Sequence, residues 1–164
     1  MGDRTYVYLY VPAELFEQAK EIAIKYDGQP EEENTDDDQL HYLGFEEVNY
    51  GELNCIRELQ LAGIPYDMDW ADGANYEEGV QHCRFTETGE LSLKVVMGSD
   101  HSIDPSVLEE VIKKHNTLDA VKDFLKKHNE VVNPLPWDNQ VEYGKIYRTK
   151  QLIAGNTEQL TLNT

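Results

Sequence analysis

Residues 5–11 alternate strictly: Val7, Leu9 and Val11 fall on one side, and Tyr6, Tyr8 and Tyr10 on the other. A period of two predicts a strand with one aliphatic and one aromatic face, and such a strand needs neighbours and a covering layer. Pro12 suits a first helical turn. Leu15, Phe16, Ala19, Ile22 and Ala23 then recur at helical spacing up to a stop at Gly28. A second strand-then-helix unit follows. Residues 40–48 read as a strand, and Asn49 with Glu52 forms a capping pair for a helix through Leu53, Ile56 and Leu59 that ends at Gly63. Residues 64–70 form a further strand, and 79–85 pair with 91–97 as a hairpin across 86–90.

The last part of the chain reads differently. Asp104 and Pro105 open a helix with its apolar stripe at Val107, Leu108, Val111 and Ile112, and Ile103 is placed to staple it to Leu108. A second helix starts near Thr117, with Leu118, Val121, Phe124 and Leu125 as its stripe and Lys126, Lys127 and His128 toward its negative end. The Pro134 and Pro136 segment breaks the pattern. Residues 140–153 form a short last helix before a polar tail at 155–164. The expected fold is a single α+β domain over 1–154. It has a mixed or antiparallel sheet, two N-terminal strand-helix units, a hairpin and a C-terminal helical part.

Charge separates the two halves. The chain has 164 residues and a net charge of −18 from 14 basic and 32 acidic side chains. Residues 1–90 hold 22 acids against 5 bases, whereas 91–164 hold 10 against 9. A field of this sign repels phosphate, so direct binding to nucleic acid or to an anionic membrane is excluded and basic partners are attracted. No run approaches the ~18 apolar residues of a membrane span, and Met1, Gly2, Asp3 and Arg4 do not open a signal peptide. The cytoplasm is the expected compartment. Cys55 and Cys83 are the two cysteines and form no CxxC pair, which fits reduced thiols.

The candidate site lies in the acidic half. Glu31, Glu32, Glu33, Asp36, Asp37 and Asp38 crowd a segment, 29–39, with no large apolar residue, read as an exposed loop. Asp67, Asp69, Asp72, Glu77 and Glu78 follow within a short stretch. Same-face strand residues repeat about every 6.6 Å and same-face helix residues about every 5 to 6 Å, against one phosphate per ~3.4 Å of each DNA strand. Carboxylates on a regular scaffold therefore approximate a phosphate lattice. The plain alternative is a solvated, solubilising face.

Other motifs carry less. The stretch from Asp67 to Glu78 matches a calcium loop at Asp67, Asp69 and Glu78, but Ala71 stands at its fifth position and Asp72 where the turn glycine belongs. Ser99, Asp100, His101 and Ser102 gather nucleophile, acid and base types in adjacent positions, yet a working triad is assembled in space. His82 and Cys83 would need His41, His101 or Cys55 nearby to hold zinc. No Walker loop, G-x-S-x-G, G-x-G-x-x-G or H-E-x-x-H motif occurs. The reading is therefore non-enzymatic, with no catalytic residue, metal or cofactor. Two-layer packing favours a helix over the Tyr6, Tyr8 and Tyr10 face, the alternative being an aromatic contact strip. Trp137 serves either as a partner anchor or as a clasp on the domain.

The stretch Gly63, Ile64, Pro65, Tyr66, Asp67 with its acidic continuation to Thr86, together with residues 135–144, resembles uncharacterised acidic accessory proteins of phages and plasmids. That resemblance implies the class containing DNA mimics that block restriction enzymes, CRISPR complexes or other defence nucleases. The expected function is thus an acidic protein-binding inhibitor whose named carboxylates occupy a basic, nucleic-acid-binding surface of its target. The alternatives are an immunity protein or antitoxin against a basic nuclease toxin, and a small metal-dependent enzyme built on the Asp67 to Glu78 carboxylates.

Overall fold

A computed structural model describes the backbone of residues 4–162 and side chains through 155. The reading of Met1, Gly2 and Asp3 lies outside the described residues, as does the end of the polar tail. Six antiparallel strands form one sheet in the order β2-β3-β1-β4-β5-β6. They are β1 (Arg4–Pro12), β2 (Glu32–Asn34), β3 (Leu40–Asn49), β4 (Tyr66–Trp70), β5 (Gly79–Phe85) and β6 (Leu91–Met97). The helices are α1 (Phe16–Asp27), α2 (Ile56–Leu61), α3 (Pro105–His115), α4 (Leu118–Val132) and α5 (Gln140–Leu162). The fold is α+β, and its sheet is antiparallel throughout. Among the described residues no helix is long and apolar enough to cross a membrane.

The alternation in β1 sets the core. Val7, Leu9 and Val11 are fully buried with Leu43, Phe45, Tyr66, Met68, Cys83 and Phe85 from neighbouring strands. Phe16, Ala19 and Ala23 of α1, Leu59 of α2 and Tyr147 of α5 cover that face. The expected helix over the tyrosine face is not found. All three core-forming helices lie on the opposite side, which leaves Tyr6 53% exposed and Tyr8 and Tyr10 half-buried.

The β5–β6 hairpin has the expected register, from Phe85 opposite Leu91 to Gly79 opposite Met97. Three boundaries differ from expectation. The segment 29–39 contains β2, held on the sheet edge by β3 and by the Glu31 amide donating to the Gly44 carbonyl at 2.9 Å. Helix α2 begins at Ile56 and not after Asn49, which ends β3. Its start is capped from a distance: Asp27, at the end of α1, accepts from the Asn54 and Cys55 amides at 2.7 and 2.9 Å. Finally, α5 continues through Leu162, so residues 155–162 of the expected polar tail are helical.

Helices α3 and α4 pack on each other and contain no buried residue. Asp104 and Thr117 cap them as expected, accepting from the Ser106 and Ala120 amides. Lys94 of β6 ties the pair to the sheet by donating to the Glu130 and Asn133 carbonyls at 2.5 and 2.6 Å, where its charge meets the negative end of α4.

Candidate functional site

The sheet face opposite α1, α2 and α5 is built by register. Over β5 and β6 it is closed, with Val96 and Arg84 buried, Trp137 stacked on Arg84 and the end of α4 bound to Lys94, while the tyrosines of β1 and β3 stay half-buried or exposed. Tyr8 has Gly44 opposite it on β3 and Asp69 opposite it on β4. Tyr10 is flanked in the same way by Tyr42 and Asp67. Beyond these, Glu32 faces Gly44, Val80 faces Asp69 and His82 faces Asp67. Tyr42 packs edge-on to Tyr8 with ring centroids 5.5 Å apart, and its ring lies 5.5 Å from that of Tyr10. Gly44 makes room for this cluster, because a Cβ there would stand 3.1 Å from the Tyr8 ring and from Glu32. The Tyr42 hydroxyl donates to Glu32 at 2.7 Å. The result is a half-buried tyrosine patch edged by carboxylates. Burial pushes the Tyr10 hydroxyl up to about 12, helped by the charge of Asp69, so these phenols stay neutral and serve as hydrogen-bond donors.

The carboxylates expected to dock a partner occupy distinct places. Glu32 and Asp69 stand at the same level on either side of Tyr8, three strand spacings or about 14 Å apart. Asp36, Asp37 and Asp38 lie beyond the Tyr10 end of the face, and Asp72, Glu77 and Glu78 beyond the Tyr6 end. Nine residues of β1 separate the two groups, about 26 Å along the strand. The acids therefore edge the tyrosine patch and do not form one block.

Several of them already have partners within the chain. Glu33, on the helix-covered side of β2, pairs with Lys20 at 2.5 Å. Glu31 accepts from the Glu46 amide at 3.0 Å. Asp37 accepts from the Gln39 and Leu40 amides, and those bonds hold its carboxyl below the ordinary range. Glu77 accepts from the Ser99 hydroxyl at 2.8 Å. Asp36, Asp38, Asp72 and Glu78 are exposed.

Asp67 is the most committed of all. It accepts from His82 at 2.6 Å and from Nη2 of Arg84 at 3.0 Å, and its Oδ1 forms an ion pair with Nη1 of Arg84 at 2.8 Å. Burial opposes its charge, but the bonds from His82 and Arg84 prevail and hold the carboxyl below the usual aspartate range. Arg84 is 2% exposed. It also donates to the Tyr66, Cys83 and Leu135 carbonyls, and the Trp137 ring stacks on its guanidinium at 3.5 Å. Trp137 is thus a clasp on the domain.

Asp69 is the counterpart without a cation. Its Oδ1 is buried and has no hydrogen-bond partner; burial is the main cause of its raised pKa and the charge of Asp67 adds to it, against the Tyr8 and Asp69 amides, which lower it. It lies in a pocket of about 340 Å3 lined by Tyr6, Tyr8, Val80, Val96, Glu78 and His101, among others.

The other sequence motifs resolve into structure. The Asp67 to Glu78 stretch joins two strands and not two helices, and the Asp67 carboxylate is taken by Arg84. Ser99 and Asp100 are turned to Glu77 and to the Met97 amide, so they form no triad with His101. His82 and Cys83 point to opposite faces of β5, and burial raises the Cys83 thiol to about 12. Among the described residues no group of three His, Cys, Asp or Glu side chains could hold a metal ion.

Sequence reasoning missed Arg84, Tyr42 and Gln140. Gln140 is buried and bonds both the amide and the carbonyl of Phe85, at 2.7 and 3.1 Å, completing the strand end where β4 has stopped. One signal was available for Arg84: it is a lone base inside an acidic, strand-forming stretch. Comparison with family models, with curated proteins and with solved structures finds no match to this chain.

Proposed function

We propose that this protein is a non-enzymatic inhibitor or sequestering factor that docks, through the tyrosine-bearing part of its sheet face, on a basic surface its target otherwise uses for nucleic acid. The observation that carries the reading is a half-buried tyrosine cluster on the sheet face away from α1, α2 and α5, edged by carboxylates, in the half of the chain with 22 acids and 5 bases. Charge alone would be explained by solvation. Half-buried aromatic rings at the centre of an acidic rim match the division of labour at protein interfaces, in which Tyr anchors supply affinity and rim charges supply steering. Glu32, Asp36, Asp38, Asp72 and Glu78 supply the rim charge that attracts a basic surface, and the phenols donate to the partner's polar groups.

The test is affinity capture from a nuclease-treated bacterial lysate, with duplex DNA as competitor. The expected eluate is rich in basic nucleic-acid-binding proteins that DNA displaces. Reversing Glu32, Asp36 and Asp38 to lysine should lower the association rate with the captured protein at least tenfold at low salt. The gap should narrow at 1 M salt, where the screening length falls to about 3 Å. Capture that neither DNA nor charge reversal affects would remove the proposal.

A further inference from the structure

Two aspartates two residues apart on β4 share one sheet face, and they are finished differently. Asp67 meets a guanidinium supplied by Arg84, which an indole ring covers at 3.5 Å. Asp69 has Val80 opposite it, a buried oxygen without a partner, tyrosine rings on one side and Glu78 and His101 on the other. A half-buried carboxylate with no cation is costly, so it calls for a ligand that brings the missing charge. A planar cation with several N–H donors suits this site better than a compact ammonium, because it can stack on a ring while bonding Asp69 and reaching Glu78.

We infer that the pocket over Asp69 receives an arginine side chain of the partner, whose guanidinium completes at Asp69 the arrangement Arg84 completes at Asp67. This rests on the reading of the face as a docking surface for a basic protein and names the anchor residue that the partner inserts. The pocket, at about 340 Å3, has room for such a side chain. An anchor at this position sits beside Tyr8, the centre of the patch, where hot spots concentrate.

The probe is N-acetyl-arginine methylamide, titrated into the intact protein and followed by amide and carboxyl NMR. The citrulline analogue, of the same shape but uncharged, is the control. Arginine should shift the amides of Tyr6, Tyr8, Asp69 and Val80 with millimolar affinity and lower the pH at which the Asp69 carboxyl titrates. Citrulline should bind at least tenfold more weakly.

Asp69→Asn should reduce arginine binding at least tenfold, whereas Asp72→Asn should not. Asp69→Asn should also raise the thermal midpoint by about 2 °C, since it removes an uncompensated charge. A second variant, Val80→Arg, would place a guanidinium in the pocket from within and should likewise block the ligand. Equal binding of arginine and citrulline, shifts spread along 31–38, or unchanged binding in both variants would overturn the inference. If arginine fails while DNA-displaceable capture persists, the pocket assignment alone falls. If arginine binds selectively while capture fails, the docking reading falls and the pocket remains an arginine site.

Discussion

Replacing Arg84 by leucine is expected to cost about 3 to 5 kcal/mol, the loss typical of removing one partner from a buried ion pair. The reason is the number of groups left without a donor. Asp67 loses a hydrogen bond and its ion pair, the Tyr66, Cys83 and Leu135 carbonyls each lose one bond, and Trp137 loses the cation beneath its ring. For a chain of this length the thermal midpoint should fall by roughly 10 °C.

The pH dependence identifies the cause. In the native protein the Asp67 carboxyl lies below its ordinary value of 3.8, so its stabilisation is fully present above that value and is lost as pH falls through the lower folded one. In Arg84→Leu, burial, already the largest single influence on Asp67, is opposed by the His82 bond alone, and the carboxyl moves up. That variant should then gain stability as pH falls through the raised value, the reverse of the native slope. Adding Asp67→Asn should recover about 1 to 3 kcal/mol by removing the stranded charge. Urea midpoints at pH 7, 5, 4, 3 and 2 check all three statements. A single variant as stable as the native protein, or one with an unchanged acid slope, would show that the cluster is peripheral.

Arg84 also marks where sequence reasoning stops. Local rules recover features whose partners lie close in the chain. The β5–β6 hairpin is legible because two alternating runs flank a short polar turn, and α3 because Asp104 and Pro105 sit directly before it. The start of α2 is not legible, because its cap is Asp27, nearly thirty residues upstream on another helix. Strand β2 consists of Glu32, Glu33 and Asn34, poor strand formers held by the pairing that β3 offers. Arg84 has partners from β4, β5 and the segment before α5, and no window of sequence contains them all.

The site follows the same division. The alternation of Tyr6, Tyr8 and Tyr10 is plain in the sequence, but which face the helices cover depends on where α1, α2 and α5 bury their apolar residues. Counting acids likewise cannot distinguish Asp67, which is neutralised, from Asp69, which is not. The two differ in what β5 places near each, an arginine for one and a valine for the other.

The second large effect concerns how α5 is held. Gly144 in α5 and Gly63 after α2 meet backbone to backbone. A Cβ on Gly144 would stand 2.0 Å from the Gly63 carbonyl oxygen, and one on Gly63 would stand 2.3 Å from that of Gly144. No rotamer change relieves a clash with backbone, so Gly144→Ala must push the helix outward. That movement pulls Tyr147 from the Phe85 ring, 4.9 Å away, and Gln140 from its paired bonds to the Phe85 backbone. The expected cost is about 1 to 3 kcal/mol for overpacking alone, with about 1 kcal/mol or more from each buried hydrogen bond that breaks.

Helix propensity predicts the opposite sign, since Gly to Ala inside a helix ordinarily gains up to about 1 kcal/mol. Gly155, on the same helix and with nothing within 4 Å of an added Cβ, should show that gain. The two substitutions thus separate propensity from packing within one element. Thermal midpoints of Gly144→Ala and Gly155→Ala should move in opposite directions, and the Phe85 and Tyr147 region should exchange its amide hydrogens faster in the first variant alone. If both variants moved together, α5 would rest on the sheet loosely, and the Phe85 end of β5 would owe its order to its strand neighbours and not to the helix.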